Sequence, residues 1–166
     1  MLVSNLTPNM ISLLARIREL AAAVPTLDEL EKGIVEAIAG ELSYCNWTGF
    51  YMLDPDDAQT LLLGSFVGEP TPHTRIPVTE GICGAAVALG ETVVVDDVHA
   101  DPRYLSCSIK TKSEIVVPIR AHGKVVGEID IDSHTPAAFT EIDRAFLEEV
   151  ARIAGTYLEK HSYLPL

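Results

Sequence analysis

The sequence predicts an α+β fold, with a mostly antiparallel central sheet, N-terminal and C-terminal helices on one face and a small ligand pocket on the other. Segments 9–23 and 26–39 repeat apolar side chains at helical spacing and precede every predicted strand. Short apolar segments separated by turn residues follow between 46 and 132, which is the pattern of antiparallel strands. A last amphipathic segment, 140–159, predicts a terminal helix.

Local signals set the predicted ends of the helices. Asn9 is the expected cap of the first helix, and Pro25 is its expected stop. Thr26-Leu-Asp-Glu29 reads as a capping box for the second helix, and Gly40 suits its end. Thr140-Glu-Ile-Asp143 is expected to cap the last helix. Its predicted apolar face consists of Ile142, Phe146, Leu147, Val150 and Ile153.

Six strands are predicted, at 46–53, 60–66, 74–78, 91–95, 114–120 and 124–132. The last two form a hairpin around the turn at 121–124. Small residues predict a brief helix over Gly81–Leu89, where the backbone can approach its neighbours closely. The long polar segment 96–112 is predicted to be irregular, and such connections often carry function.

Size and composition predict one globular domain over residues 1–166. The chain is 48% hydrophobic, which favours a folded protein over a disordered one. Its net charge of −12 disfavours nucleic acid as a partner, because nucleic-acid binding depends on clustered lysine and arginine. No apolar run is long enough for a membrane span, and the first residues do not resemble a signal peptide. We therefore expect a cytoplasmic protein that binds neither nucleic acid nor a membrane.

Thiols and carboxylates cluster late in the sequence. Cys83 and Cys107 lie 24 positions apart, and Gly127-Glu-Ile-Asp-Ile-Asp132 follows them. Because side chains alternate along a strand, Asp130 and Asp132 are predicted to share one face. With Cys45, the chain has three cysteines, which form neither a disulfide framework nor a paired zinc motif. Free thiols, metal ligands and redox centres remain as alternatives for them, with core packing favoured for Cys45.

A zinc site is one alternative for these residues. His73, Cys83, His99 and Cys107 supply the two nitrogens and two sulfurs that tetrahedral zinc accepts. Their spacings of 10, 16 and 8 positions fit no compact zinc motif. We therefore predict no metal and no other cofactor.

Several motifs together resemble the free methionine-(R)-sulfoxide reductases, which are enzymes with the GAF fold. The matching segments are Asn46-Trp-Thr-Gly-Phe-Tyr51, Arg75-Ile-Pro77, Gly81-Ile-Cys-Gly84, Gly90-Glu-Thr92, Asp97-Val-His99, Ser113-Glu-Ile-Val116 and Asp130-Ile-Asp132, with Cys107. They cover roughly residues 28–158, the expected core of a single GAF domain. Each segment alone is weak evidence for the family, but their combination at consistent spacing is strong evidence for this subfamily.

The resemblance implies a substrate, free L-methionine-(R)-sulfoxide, and a role for each matching residue. Cys107 matches the nucleophile. The substrate-lining acids correspond to Glu114, Asp130 and Asp132. Trp47 matches the ring over the sulfoxide methyl group, and Tyr51 matches a further pocket aromatic. Members of the family commonly form homodimers, and segment 9–23 is a candidate part of such an interface.

The chain departs from the family pattern at the thiol that resolves the nucleophile. His73 stands where the family usually has a further cysteine, ten positions before Cys83. The family's His-Ile-Ala-Cys-Asp run also reads Tyr104-Leu-Ser-Cys-Ser108 here. The resolving thiol is then either Cys83 or an external thiol, with a thioredoxin-type protein as the expected reductant.

The residue types suit the chemistry of sulfoxide reduction. A thiolate attacks the sulfur while an acid protonates the departing oxygen, which leaves a sulfenic acid on the enzyme. Clustered carboxylates repel one another, so at least one is expected to stay protonated and to serve as the acid, with Glu114 or Asp132 the candidates. The others are expected to bind the substrate ammonium. The alternative function is a non-catalytic GAF domain that binds and senses a small molecule.

Overall fold

The computed structural model describes residues 5–106 and 108–161 of the chain. The helices are α1 (Pro8–Ala23), α2 (Leu27–Glu41), α3 (Gly81–Leu89) and α4 (Glu141–Lys160), with a 3-10 turn at Val98–Ala100. The strands are β1 (Trp47–Asp54), β2 (Asp57–Val67), β3 (Arg75–Pro77), β4 (Val93–Val95), β5 (Ser113–Ala121) and β6 (Lys124–Ser133). Within these residues, no helix combines the length and the apolar composition that crossing a membrane requires.

The six strands form one sheet in the order β3-β2-β1-β6-β5-β4, and each neighbouring pair is antiparallel. One face carries α1, α2 and α4 over the main core, to which β5 and β6 contribute Ile115, Val117, Ile119, Ile129 and Ile131. The opposite face carries α3 and a second, smaller cluster that includes Trp47, Tyr51 and Cys83. The predicted α+β architecture is confirmed.

Two predicted helix ends are wrong. Thr7, not Asn9, caps α1, because its hydroxyl accepts a hydrogen bond from Met10 N at 3.2 Å and Pro8 fits the first helical position. Helix α2 continues through Gly40, since the Leu42 amide still donates to Ile38 O. The side chain of Leu42 is buried at the helix end. The capping box at the start of α4 is present as predicted.

The predicted apolar face of α4 is correct for Phe146, Leu147, Val150 and Ile153, which are all buried. The prediction is wrong for Ile142, which is 39% exposed. Asp143 is instead the residue of the first turn that faces the domain, where its carboxylate accepts a hydrogen bond from the Tyr44 hydroxyl. This bond fixes the rotation of the helix and turns Ile142 toward solvent.

Helix α2 places a carboxylate against an irregularity in β2. The register of β1 and β2 shifts between Gly49 and Tyr51, which leaves an extra residue in β2. The Ser65 amide in this stretch donates to Glu31 Oε2 at 3.2 Å, and the absence of a side chain on Gly64 makes room for that carboxylate. Burial raises the pKa of Glu31 to about 7, although the Ser65 hydrogen bond opposes the shift.

We predict that Glu31 makes the protein less stable as pH rises. The folded pKa of about 7 lies above the ordinary value of 4.5, so between these values the folded state holds a proton that the unfolded state has lost. Glu31 should therefore contribute a fall of roughly 3 kcal/mol in the free energy of unfolding across that window, and Glu31→Gln should remove that share while the shares of the other buried acids remain. Denaturant unfolding at about pH 5 and about pH 8 measures it. Glu36→Gln, on the exposed side of α2, is the control, and an identical pH slope in both variants would contradict the prediction.

A second prediction concerns the contact between α4 and β5. A Cβ at Gly155 would lie 2.0 Å from Arg120 O, so Gly155→Ala should lower the free energy of unfolding by about 1–3 kcal/mol. Gly40→Ala meets nothing within 4 Å inside α2 and should raise it by about 0.5–1 kcal/mol. Thermal and denaturant unfolding of both variants make the comparison. Equal effects of the two substitutions would disprove the close approach of α4 to β5.

Candidate active site

The strand register gathers the predicted pocket residues on the sheet face opposite the three long helices. In β1 and β6, Trp47 pairs with Asp132, Gly49 with Asp130 and Tyr51 with Glu128. Glu114 of β5 pairs with Asp132 from the other side. Because side chains alternate along each strand, the rings of Trp47 and Tyr51 and the carboxylates of Glu114, Asp130 and Asp132 share this face.

Glu128 belongs to the same row and was not among the residues expected to line the pocket. The alternation that places Asp130 and Asp132 on one face also places Glu128 there, so the signal was present. Its side chain is fully buried, and among residues 5–106 and 108–161 neither carboxylate oxygen has a partner in good hydrogen-bonding geometry, although the Cys83 thiol is near enough to oppose the rise in the pKa of Glu128 that burial causes. The pocket face therefore carries four buried acids, each at most 5% exposed.

Burial raises the pKa of three of these acids. The pKa of Asp130 rises to about 6, although contacts with Glu114 and Cys83 oppose the shift. Burial and then the charge of Asp130 raise the pKa of Asp132 well above its usual value. Burial also raises the pKa of Glu128, against the effect of the nearby Cys83 thiol. A buried row of this kind holds protons at neutral pH and attracts any cation that reaches it.

Helix α3 delivers Cys83 to the acids. The helix lies close to the turn after β3, since a Cβ on Gly84 would stand 2.8 Å from Val78 O. Cys83 Sγ donates to Asp130 Oδ2 at 3.5 Å. Burial first, and then the charges of Asp130, Glu128 and Glu114, raise the pKa of this thiol. Cys83 is therefore a buried, protonated, free thiol without a disulfide.

Among the described residues, Cys83, Glu114 and Asp130 also form a group that could hold a metal ion, since their donor atoms all lie within 4.8 Å of one another. The set considered from the sequence is not formed by the described residues, since neither His73 nor His99 joins Cys83 in such a group. Cys45 lies in the main core on the other face of the sheet, where burial raises its pKa to about 12. Packing accounts for that residue.

Trp47 and Tyr51 form an aromatic wall along the row of acids. Their rings stack with centroids 6.2 Å apart, and Trp47 also stacks on Phe66 at 5.5 Å. Trp47 Nε1 donates to Glu69 O at 3.0 Å, and the Tyr51 hydroxyl donates to His73 O at 2.7 Å. These bonds tie the wall to the loop between β2 and β3.

Two contacts join that loop to the irregular segment before β5. His73 Nε2 donates to Ser106 O at 2.9 Å, and Lys110 Nζ pairs with Glu69 Oε1 at 2.7 Å. Cys107, the predicted nucleophile, follows Ser106 in sequence and lies outside the described residues, so its role stays a prediction. The ring of His73 thus bonds to the backbone that immediately precedes Cys107.

Two small cavities adjoin the acids. One of about 10 Å³ is bordered by Tyr51, Gly81, Cys83, Leu105 and Asp130 among others. The other, of about 40 Å³, lies between Trp47, Asp132 and residues of the segment before β5. The first is at the lower limit for a single water molecule. An amino acid that binds here must therefore displace part of the surrounding loops.

Comparison with known proteins identifies the class. The GAF domain family model matches residues 26–158. The crystal structure of free methionine-R-sulfoxide reductase from Neisseria meningitidis with its substrate superimposes with a TM-score of 0.86, at 34% identity over 92% of this chain and 89% of that one. The protein is a GAF domain.

Sequence relatives narrow the class further. Free methionine-R-sulfoxide reductase of Saccharomyces cerevisiae is 41% identical over 65% of this chain and 60% of its own length. Protein YtsP of Bacillus subtilis is 42% identical over 76% of this chain and 79% of its own. The chain thus spans somewhat under two thirds of the yeast enzyme. It belongs to the free methionine-R-sulfoxide reductase family and is an oxidoreductase of that family.

The burial of Cys45 and Cys83 predicts how many thiols react in the folded protein. Both are about 5% exposed with raised pKa values, so a thiol reagent should label neither within minutes at neutral pH. Cys107→Ser should therefore show almost no fast-reacting thiol, and two after unfolding in guanidinium. Mass spectrometry of alkylated peptides makes the measurement. Rapid labelling of Cys83 in the folded variant would contradict its burial.

Proposed function

We propose that the protein reduces free L-methionine-(R)-sulfoxide to methionine, with Cys107 as the nucleophile. The observation that carries the proposal is the row of buried acids beneath the stacked rings of Trp47 and Tyr51. Such a site provides an anionic floor for an ammonium group and an apolar wall for a methyl-sulfur group. The Neisseria relative, whose structure contains its substrate, supports the choice of substrate class.

Recognition of the free amino acid follows from the charges of the site. Asp130 and Asp132 lie on one strand face, with Glu114 paired beside Asp132. The ammonium of a free amino acid supplies the positive charge that these buried carboxylates lack, whereas a peptide-bound methionine has no such group. Trp47 lies across from Asp132 and is placed to contact the sulfoxide methyl.

The proposed reaction balances with the residues of the chain. The Cys107 thiolate attacks the sulfoxide sulfur, and a protonated acid of the row, Glu114 or Asp132, gives a proton to the oxygen as its bond to sulfur breaks. The protonated oxygen moves from the substrate sulfur to the Cys107 sulfur as the bond between the two sulfurs breaks, which releases methionine and leaves Cys107 as a sulfenic acid. A second thiol then attacks the sulfenic sulfur and releases water, which gives a disulfide that further thiol reduces.

We assign the second thiol to an external reductant of the thioredoxin or low-molecular-weight type. His73 has no thiol to offer at the position where the family usually has its resolving cysteine. Cys83 is a poor nucleophile, because burial and neighbouring carboxylates keep it protonated. An external thiol therefore suits the arrangement better than Cys83.

The central test is an assay for methionine formed from free methionine-R-sulfoxide with dithiothreitol or thioredoxin. Wild type should turn over with either reductant, and Cys107→Ser should fall to the uncatalysed background. Cys83→Ser should keep activity within about threefold of wild type with both reductants, because the external thiol resolves Cys107. Peptide-bound methionine sulfoxide and the S epimer serve as negative substrates.

The outcomes separate the alternatives. No product above the Cys107→Ser background would exclude the enzyme, and tight binding of the sulfoxide without turnover would then favour the sensor. Loss of thioredoxin-dependent activity in Cys83→Ser, with dithiothreitol activity retained, would identify Cys83 as the resolving thiol instead.

The acids give a further prediction, on substrate affinity. Asp130→Asn removes a charged partner of the ammonium, so KM should rise by about 10–100-fold, and Asp132→Asn should raise KM likewise where Glu114 is the proton donor. Glu36→Gln, an exposed acid on α2, controls for the change in net charge and should leave KM unchanged. Steady-state kinetics measure KM for each variant. An unchanged KM in both aspartate variants would place the ammonium elsewhere.

A further inference from the structure

Cys83, Glu114 and Asp130 form a compact set of donors of which the proposed reaction uses only the carboxylates. They reach one point from three different elements, α3, β5 and β6. Their sulfur and carboxylate oxygens lie within 4.8 Å of one another. Each of the three side chains is at most 5% exposed, so the set is buried rather than a patch of surface acids.

A second observation points to a ligand at this place. In the described part of the chain, one carboxylate oxygen of Asp130 is buried without a hydrogen-bond partner, and the two oxygens of Glu128 have none in good hydrogen-bonding geometry. Glu128 is close enough to Cys83 for each side chain to affect the pKa of the other. Buried carboxylates without partners are costly unless a donor or a cation satisfies them. The unpartnered oxygens therefore face a position that favours positive charge.

The spacing of the donors suits a small, tetrahedral cation. Cys83 Sγ and Asp130 Oδ2 are 3.5 Å apart. In a tetrahedral zinc site, with bonds of about 2.3 Å to sulfur and about 2.0 Å to oxygen, these two atoms lie about 3.5 Å apart. Magnesium and calcium prefer six or more oxygens, whereas zinc and cobalt accept a thiolate with carboxylates. The adjoining cavity of about 10 Å³ is small enough for an ion.

We propose that the reduced protein binds one divalent cation of the zinc class through Cys83 Sγ and carboxylate oxygens of Glu114 and Asp130, with a water molecule as the fourth ligand and the buried charge of Glu128 nearby. The ion replaces the thiol proton, which is released to solvent, and satisfies the unpartnered carboxylates. This site differs from the two-histidine, two-cysteine set considered from the sequence. It does not make the ion a cofactor of the reaction.

Occupation of the site blocks the pocket, and this consequence rests on the proposed function. An ion on Glu114 and Asp130 withdraws two of the acids that bind the substrate ammonium. Zinc should therefore act as a reversible inhibitor that raises KM for the sulfoxide, and a chelator should restore the activity. The site then couples the enzyme to the supply of free zinc.

Cobalt titration of the full-length, reduced protein tests the site directly. The Cys107→Ser background leaves Cys45 and Cys83 as the thiols, and a phosphine reductant avoids competing thiols. We expect one equivalent of cobalt, with a thiolate-to-cobalt charge-transfer band that zinc abolishes. The band should persist in Cys45→Ser and disappear in Cys83→Ser. Its absence with Cys83 intact, or its persistence without Cys83, would overturn the proposal.

Carboxylate variants keep the test decisive if Cys83→Ser does not fold. Asp130→Asn and Glu114→Gln should each weaken cobalt binding at least about tenfold, because each loses an anionic ligand. Circular dichroism confirms that each variant is folded, and Glu36→Gln is the control for net charge. Unchanged cobalt affinity in both carboxylate variants would overturn the site.

The kinetic and binding experiments test the proposed function and the metal site independently. A protein that binds cobalt through Cys83 but reduces no sulfoxide would keep the metal site and disprove the proposed function. An active enzyme whose cobalt band does not depend on Cys83 would disprove the metal site alone.

Discussion

The alternation of β6 between two environments is the constraint on which the rest of the structure depends. Ile129 and Ile131 face the helices, and Glu128, Asp130 and Asp132 face the pocket. A slip of one residue in register would bury three carboxylates in the main core and turn the isoleucines into the pocket. The apolar burial beneath α1, α2 and α4 therefore sets the register, and the register in turn holds the acids in place.

Burying four acids on one face has a cost that neighbouring elements partly offset. Small residues let α3 approach closely enough for the Cys83 thiol to donate to Asp130, and Thr111 donates to Asp132 at 3.5 Å. Protons held at raised pKa values reduce the remaining charge. The row is thus stable enough to fold while it keeps unpartnered oxygens. A fully satisfied row would have no affinity left for a ligand.

Periodicity in the sequence predicted the helices and strands well, because the burial of apolar side chains decides both the sequence pattern and the secondary structure. Helix Gly81–Leu89 has the predicted bounds, and Trp47, Tyr51, Asp130 and Asp132 follow from simple alternation. The errors have local causes. Thr7 and Asn9 are both good capping residues, and Pro8 at the first helical position decides between them. Ile142 fits the helical period, but the bond between Tyr44 and Asp143 comes from a residue 99 positions away and is invisible in a local pattern.

The missing site information has a different origin. Glu128 is two positions before Asp130 and therefore lies on the same face of the strand. Without knowledge of its burial, however, a single acid beside a known motif looks like an ordinary exposed polar residue. Glu31 gave no signal, since its role depends on the extra residue in β2, which only the pairing with β1 reveals. The pocket is therefore predictable as a face of a strand. Its depth and its unmet charge emerge only when three elements are packed together.

The same unmet charge underlies both of the ligands that we propose for this place. An ammonium group brings one positive charge with several donor hydrogens, and it suits separated carboxylates such as those of Asp130 and Asp132. A small dication brings twice the charge to a point, and it suits donors that converge, as Cys83, Glu114 and Asp130 do. The position of Cys83 decides between them, because its sulfur adds a soft ligand and takes no part in binding an ammonium. A thiol kept from acting as a nucleophile by the acids around it is, for the same reason, well placed to hold a metal.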